Sequence, residues 1–142
     1  MNSLPETSQL QGPRRMRAVS GVVLAVYWLV IFFGTHWPRL SLERFPRNSD
    51  KVLHFGAYAG LSFLLGLWIS TKHDLRARGL LSVVAVTYVY AILDELTQLF
   101  VPGRSCDAHD VAADWAGSLV GLAVFLLTRR IFRKSREAPT SG

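Results

Sequence analysis

A chain of 142 residues suffices for one domain, yet half of its residues are apolar, 18% are charged and its mean hydropathy is +0.25. Apolar residues gathered in such long blocks exclude an ordinary soluble domain and leave a soluble bundle of very greasy helices as the lesser alternative. The net charge of +6 and pI near 10.1 would suit nucleic acid, but Lys and Arg sit at the block ends with no basic–aromatic patch, so no nucleic-acid partner is expected.

Residues 1–16 are polar, contain Pro5 and Pro13 and lack an apolar period, which predicts a flexible tail. The first apolar block, Val19 to Trp37, follows Arg14, Arg15 and Arg17. A signal peptide is the alternative there. The run is longer than a usual h-region, however, and Gly34-Thr35-His36-Trp37-Pro38 lacks a small-x-small cleavage pattern, so an uncleaved anchor is expected. From Pro38 to Lys51, Leu40, Leu42 and Phe45 are interspersed with Arg and Glu, as in an interfacial segment, and Pro46 argues against one continuous helix. The second block, Val52 to Ser70, carries His54 near its start. A short basic connection, Thr71 to Arg78, leads to the third, Gly79 to Val101, with Asp94, Glu95 and Gln98 near its end. Pro102-Gly103 opens a turn, and the fourth block, Val111 to Thr128, has Asp114 near its start. Residues 135–142 read as a second tail. Each block approaches the roughly 20 apolar residues that cross a bilayer. The expected fold is all-α: a polytopic bundle of four transmembrane helices within residues 17–134, with spans at about 19–37, 52–70, 79–101 and 111–128 and no internal repeat.

Charge sets the expected orientation. The N-terminal segment, the second connection and the C-terminal segment together hold eleven basic residues: Arg14, Arg15, Arg17, Lys72, Arg76, Arg78, Arg129, Arg130, Arg133, Lys134 and Arg136. The other two connections hold five: Arg39, Arg44, Arg47, Lys51 and Arg104. The positive-inside rule then predicts both termini in the cytoplasm, with most of the acidic residues on the outer side.

Acids within apolar blocks need a reason. An Asp at a helix centre costs about 2.5–3.5 kcal/mol on insertion scales, and such residues are functional candidates by default. From Gly79 to Val101 is about 34 Å of helix, and Asp94 lies roughly 10 Å from its outer end, so it should face the bundle and find a partner. His54 and Tyr58 are four apart, as are Asp94 and Gln98; Glu95 and Gln98 are three apart; Asp107, Asp110 and Asp114 are spaced three and four. Each set therefore shares one helix face. Gly117 and Gly121 form a small-xxx-small pair that allows close helix contact. Short connections make consecutive helices antiparallel neighbours, so the outer ends of spans two, three and four can meet. The partners on offer are Lys51, His54, Tyr58, Arg104 and Arg47. Arg104 is favoured, because a guanidinium can bind a carboxylate bidentately. Six carboxylates (Asp50, Asp94, Glu95, Asp107, Asp110 and Asp114) face at most three firm cations, and a proton, a metal or a ligand is expected to supply the difference.

The cluster can be a packing network, a ligand or headgroup site, or a catalytic site. His54 alone reads as a hydrogen-bond partner of an Asp or of Tyr58. No Cys/His spacing marks a zinc site, and a carboxylate-rich ring would suit Mg or Ca; no cofactor or metal site is assigned, although a divalent cation is compatible with the set. Ser105 and Cys106 lack a base at a predictable position, His109 being near in sequence only. Cys106 is the single cysteine, which excludes an internal disulfide. Trp37, Trp68 and Trp115 near span ends read as interface anchors and Trp28 as packing.

These polar residues are also where the chain resembles the VanZ-like family of small bacterial membrane proteins. The resemblance runs from Asp50 to about Gly121. It rests on Asp50-Lys51-x-x-His54-Phe55-x-x-Tyr58, on Glu95-x-x-Gln98-x-Phe100-x-Pro102-x-Arg104, and on Asp110 followed by a polar residue at 114 and by Gly117. It departs at Asp114, where the family often has Asn; the first span and the tails carry no motif. The resemblance implies a multi-pass protein of the bacterial cytoplasmic (inner) membrane acting in the cell envelope. The family is named for a protein that lowers susceptibility to the glycopeptide teicoplanin, and it implies no particular reaction. The function expected from residues and resemblance together is an outer-facing polar site for the headgroup of a membrane lipid or a lipid-linked cell-wall precursor. Arg104, Lys51 and His54 would contact phosphate. The carboxylates of Asp50, Asp94, Glu95, Asp110 and Asp114 would bind sugar or amine groups or a bridging divalent ion, with Tyr58 and Gln98 in the same candidate set. The alternatives are a small membrane enzyme on a lipid-linked substrate and a structural or partner protein. A proton relay is less favoured in four spans without a repeat, though a homo-oligomer could form one.

Overall fold

The structure, a computed structural model, describes residues 7–37, 49–72 and 76–137, without the side chains of 7–13, 136 and 137. It consists of four helices: α1 (Thr7–Thr35), α2 (Ser49–Ser70), α3 (Ala77–Gln98) and α4 (Ala108–Glu137). Among the described residues there is no strand, and all four helices are long and apolar enough to cross a membrane. The chain is an all-α, multi-pass membrane protein. Most of the first connection, with Leu40, Leu42, Phe45 and the candidate partner Arg47, lies outside the described residues.

The distribution of side chains inverts that of a soluble bundle. Val22, Val30, Leu53, Leu81, Val89, Leu119 and Leu127 all point outward, where lipid is the solvent that accepts them. His54, Ser62, Thr87, Asp94, Glu95, Gln98 and Asp114 are buried. Polar groups turn inward because hydrocarbon offers them no hydrogen bonds, and helices satisfy the backbone for the same reason.

The most extensive contact joins α2 and α4, which are not consecutive. They run parallel: Lys51 meets Asp110, Phe55 meets Gly117, Ala59 meets Gly121 and Gly66 meets Phe125. A Cβ on Gly117 or Gly121 would fall on the Phe55 or Ala59 carbonyl oxygen, so only glycine permits this approach. α3 runs antiparallel to both, with Tyr90 stacked on Tyr58 at 5.7 Å and Tyr88 stacked on Trp115 at 3.7 Å. Trp115 is thus a packing residue as well as one near a span end. α1 attaches through Tyr27, whose hydroxyl donates to the Ala57 carbonyl at 3.1 Å, and through Trp28, edge-on to Tyr90 at 5.0 Å.

Helix ends differ from the apolar blocks in instructive ways. α1 begins at Thr7 and α4 runs to Glu137, so each reaches beyond its apolar block into basic sequence. α3 stops at Gln98 although Leu99, Phe100 and Val101 are apolar. Those three residues tighten into i→i−3 hydrogen bonds of 3.3, 3.1 and 2.9 Å, the form a helix end takes before a turn. Pro102 and Gly103 make that turn, Gly103 at φ 79°, in the left-handed region that favours glycine.

Candidate functional site

Because the four helices alternate in direction, the start of α2, the end of α3 and the start of α4 meet at the end of the bundle opposite the start of α1 and the end of α4. The connection from Pro102 to Asp107 crosses this end and is pinned from two sides. Asp107 is the N-cap of α4: its Oδ1 accepts the His109 N–H at 2.8 Å. Its own N–H donates to Glu95 Oε2 at 2.9 Å, which gives the fully buried Glu95 of α3 a backbone partner.

Lys51, on the first turn of α2, reaches across to α4 and donates to Asp107 Oδ2 at 2.9 Å and to Asp110 Oδ1 at 2.8 Å. The ammonium, together with the His109 N–H and ring, holds the Asp107 carboxyl well below the usual carboxylate range. Arg104 is fitted more loosely. One guanidinium nitrogen lies 3.7 Å from Asp50 Oδ1, another donates to the Gly34 carbonyl at 3.5 Å, and the buried Nε has no hydrogen-bond partner among the described residues. These side chains, with Gln98 and Ser105, wall a cavity of about 180 Å³.

Two buried sets lie beside the cavity. His54, one turn below Asp50 on α2, bonds through Nδ1 to Asp114 Oδ1 of α4 at 3.0 Å, and both side chains are essentially shielded from solvent. Asp94 faces the other way, toward α1. Thr35 donates to its Oδ1 at 3.1 Å, and His36 Nδ1 lies 3.7 Å away. His36 Nδ1 also meets the Phe32 carbonyl at 2.9 Å, which makes it the donor and leaves Nε2 to accept from Thr97 at 2.8 Å. Gln98 joins the sets on α3, donating to Asp94 Oδ2 at 3.4 Å and to Glu95 Oε1 at 3.1 Å.

Every candidate residue therefore lies at one end of the bundle, but in separate groups. Asp50, Lys51, Gln98, Arg104 and Asp110 line the cavity; His54 pairs with Asp114; Asp94 and Glu95 are bound by α1 and by the Asp107 backbone. Tyr58 is wholly buried, and its hydroxyl makes no hydrogen bond among the described residues, so it shares a face with His54 without bonding to it. Arg104 forms no bidentate pair with a carboxylate among the described residues. Its backbone is held by the turn at Pro102-Gly103, and its guanidinium lies beside Asp50. The residues that sequence spacing did not reveal are Thr35, His36 and Thr97, the partners of Asp94 and of one another. The one available signal was a Thr-His pair at the C-terminal end of the first apolar block, level with Asp94.

No curated protein and no solved structure matches the chain. The VanZ/LLP1 family matches residues 15–129, which takes in all four apolar helices and extends the resemblance back through α1 to Thr35 and His36. With most of its length matched and its polar groups gathered at one end of a four-helix membrane bundle, the chain belongs to the VanZ/LLP1 family.

Proposed function

We propose that this protein binds the phosphate-bearing headgroup of a lipid or lipid-linked cell-wall precursor in the cavity between α2, α3 and α4, on the outer face of the bacterial cytoplasmic membrane. The observation that carries the reading is Arg104. A guanidinium has five N–H donors, yet the contacts here are long, at 3.5 and 3.7 Å, and Nε is unbonded. A planar fork with unused donors on a cavity wall is what phosphate recognition requires. Lys51 stands on the same wall, and Gln98 and Ser105 add polar contacts. The cavity admits a headgroup and leaves acyl chains to the bilayer beside it. The basic excess at the end carrying the termini supports an outer position for the site, in keeping with the family's association with a cell-wall-directed antibiotic.

A proton path through one chain is the poorer reading. The polar residues of the α2–α4 seam end at Ser62 and Ser118, and beyond them lie Leu65, Leu122 and Phe125, all buried. Lipid identification by mass spectrometry tests the headgroup reading, using gently purified wild type and Arg104→Ala. A specific phospholipid or lipid-linked species should accompany wild type and be lost from a folded Arg104→Ala. Identical lipids on both proteins would refute the assignment.

A further inference from the structure

Acids outnumber bases around the cavity. Asp50, Asp107 and Asp110 line it against Lys51 and Arg104, and Asp114 and Glu95 lie buried beside it. We infer that Asp50, His54 and Asp110 form a site for one divalent first-row cation, Mn²⁺ or Zn²⁺, at the cavity's inner edge. The inference rests on the headgroup reading only for what the open coordination positions would face.

One donor atom from each of the three residues lies within 4.8 Å of the others. Three oxygen and nitrogen ligands at about 2.0–2.2 Å from such a metal lie on average no more than about 3.8 Å apart, so inward side-chain adjustments of up to roughly half an ångström each would close the site. Rigid elements hold the ligands. Asp50 and His54 are one turn apart on α2, Asp110 is in the first turn of α4, and the glycine contacts at 117 and 121 lock these two helices together.

His54 is the second observation. Its side chain is 3% exposed, and its one hydrogen bond among the described residues joins Nδ1 to Asp114. In the neutral ring with its proton on Nδ1 toward Asp114, the lone pair would sit at Nε2, which has no protein partner among the described residues. A histidine oriented by a carboxylate and presenting its other nitrogen is the usual arrangement of a metal ligand. Asp110 is compatible, since Lys51 takes Oδ1 and leaves Oδ2. The mixed oxygen and nitrogen set fits Mn²⁺ or Zn²⁺ better than Mg²⁺ or Ca²⁺, which prefer oxygen alone. The remaining coordination positions would open on the cavity wall shared with Arg104, where a phosphate oxygen could complete the shell.

The test is titration of chelator-treated protein in detergent with Mn²⁺ alone, followed by loss of the free-ion paramagnetic resonance signal, with zinc content of the untreated protein measured in parallel. One saturable ion per chain is expected. Asp50→Asn and Asp110→Asn should each weaken it at least about tenfold. Asp50 is only partly buried, so that variant keeps the test valid should others fail to fold. Arg104→Ala should retain the ion while losing the lipid. Folded wild type that binds no ion, or variants that bind as wild type does, would overturn the site. If wild type carries a specific lipid but no ion, the site fails and the headgroup reading stands; if it binds the ion while Arg104→Ala keeps its lipids, the reverse holds.

Discussion

His54 and Asp114 show what a buried polar pair is worth in this molecule. Neither side chain reaches solvent, and each is the other's hydrogen-bond partner across the α2–α4 seam. Replacing one strands the other, whereas replacing both removes the polar groups together. His54→Leu in chelator-treated protein should therefore cost up to about 3–5 kcal/mol at neutral pH, and His54→Leu with Asp114→Leu should recover a substantial part of it. Thermal unfolding in detergent of the two single variants and the double gives the coupling directly; strictly additive losses would mean the pair is not a unit. Thr35 makes a gentler case. Thr35→Val removes the hydroxyl that donates to Asp94 Oδ1 at 3.1 Å and should destabilise by about 1 kcal/mol, the size of interhelical hydrogen bonds in membranes. The same substitution in an Asp94→Asn background should cost measurably less. The two pairs also mark what sequence can tell at this scale. Asp110, Asp114, His54 and Lys51 were legible as candidates, because acids and bases in apolar blocks stand out and helical spacing puts them on common faces. Thr35 and His36 were not, because their meaning depends on α1 lying beside α3, and no spacing within either helix encodes that.

At the scale of the helix, four apolar blocks announced four helices, but which pair would pack closest was written in glycine. Consecutive helices were the expected neighbours on short connections, yet α2 and α4 make the main contact because Gly117 and Gly121 let the α2 backbone come within reach. Apolar length likewise overstated α3, since Leu99 to Val101 are apolar but are turned out of the helix by Pro102-Gly103. The glycines predict a contrast. Gly121→Ala puts a methyl group on the Ala59 carbonyl and should destabilise by about 1–3 kcal/mol, as overpacking does. It should also part Lys51 from Asp110 and loosen the cavity. Gly56→Ala, on the same α2 helix with nothing within 4 Å of its Cβ, should be neutral or stabilise by up to about 1 kcal/mol through helix propensity. Unfolding midpoints of the two variants decide the matter; equal effects would mean that the α2–α4 approach is not limited by those carbonyls.

For the whole molecule, the question is which way the bundle stands in the membrane, because that decides which lipids can enter the cavity. The start of α1 and the end of α4 share one end and the cavity is at the other; in the sequence, eleven of the sixteen basic residues fall in the two terminal segments and the second connection. Lys and Arg resist translocation, and acidic residues contribute little to orientation; the five basic residues of the first and third connections in the sequence, Lys51 and Arg104 among them, are too few to reverse the bias. Cys106 reports on this without perturbation. It is the single cysteine, it is exposed, and it sits between Ser105 and Asp107 in the connection that crosses the cavity end. A membrane-impermeant thiol reagent should label it in intact spheroplasts, and Cys106→Ser should abolish the label. Protection in spheroplasts with labelling only in inverted vesicles would turn the molecule over. The cavity would then face the cytoplasmic leaflet, where lipid-linked precursors are assembled, and away from the surface where they are used. The same Arg104 could still bind phosphate there, but any part in the outer envelope would have to be given up.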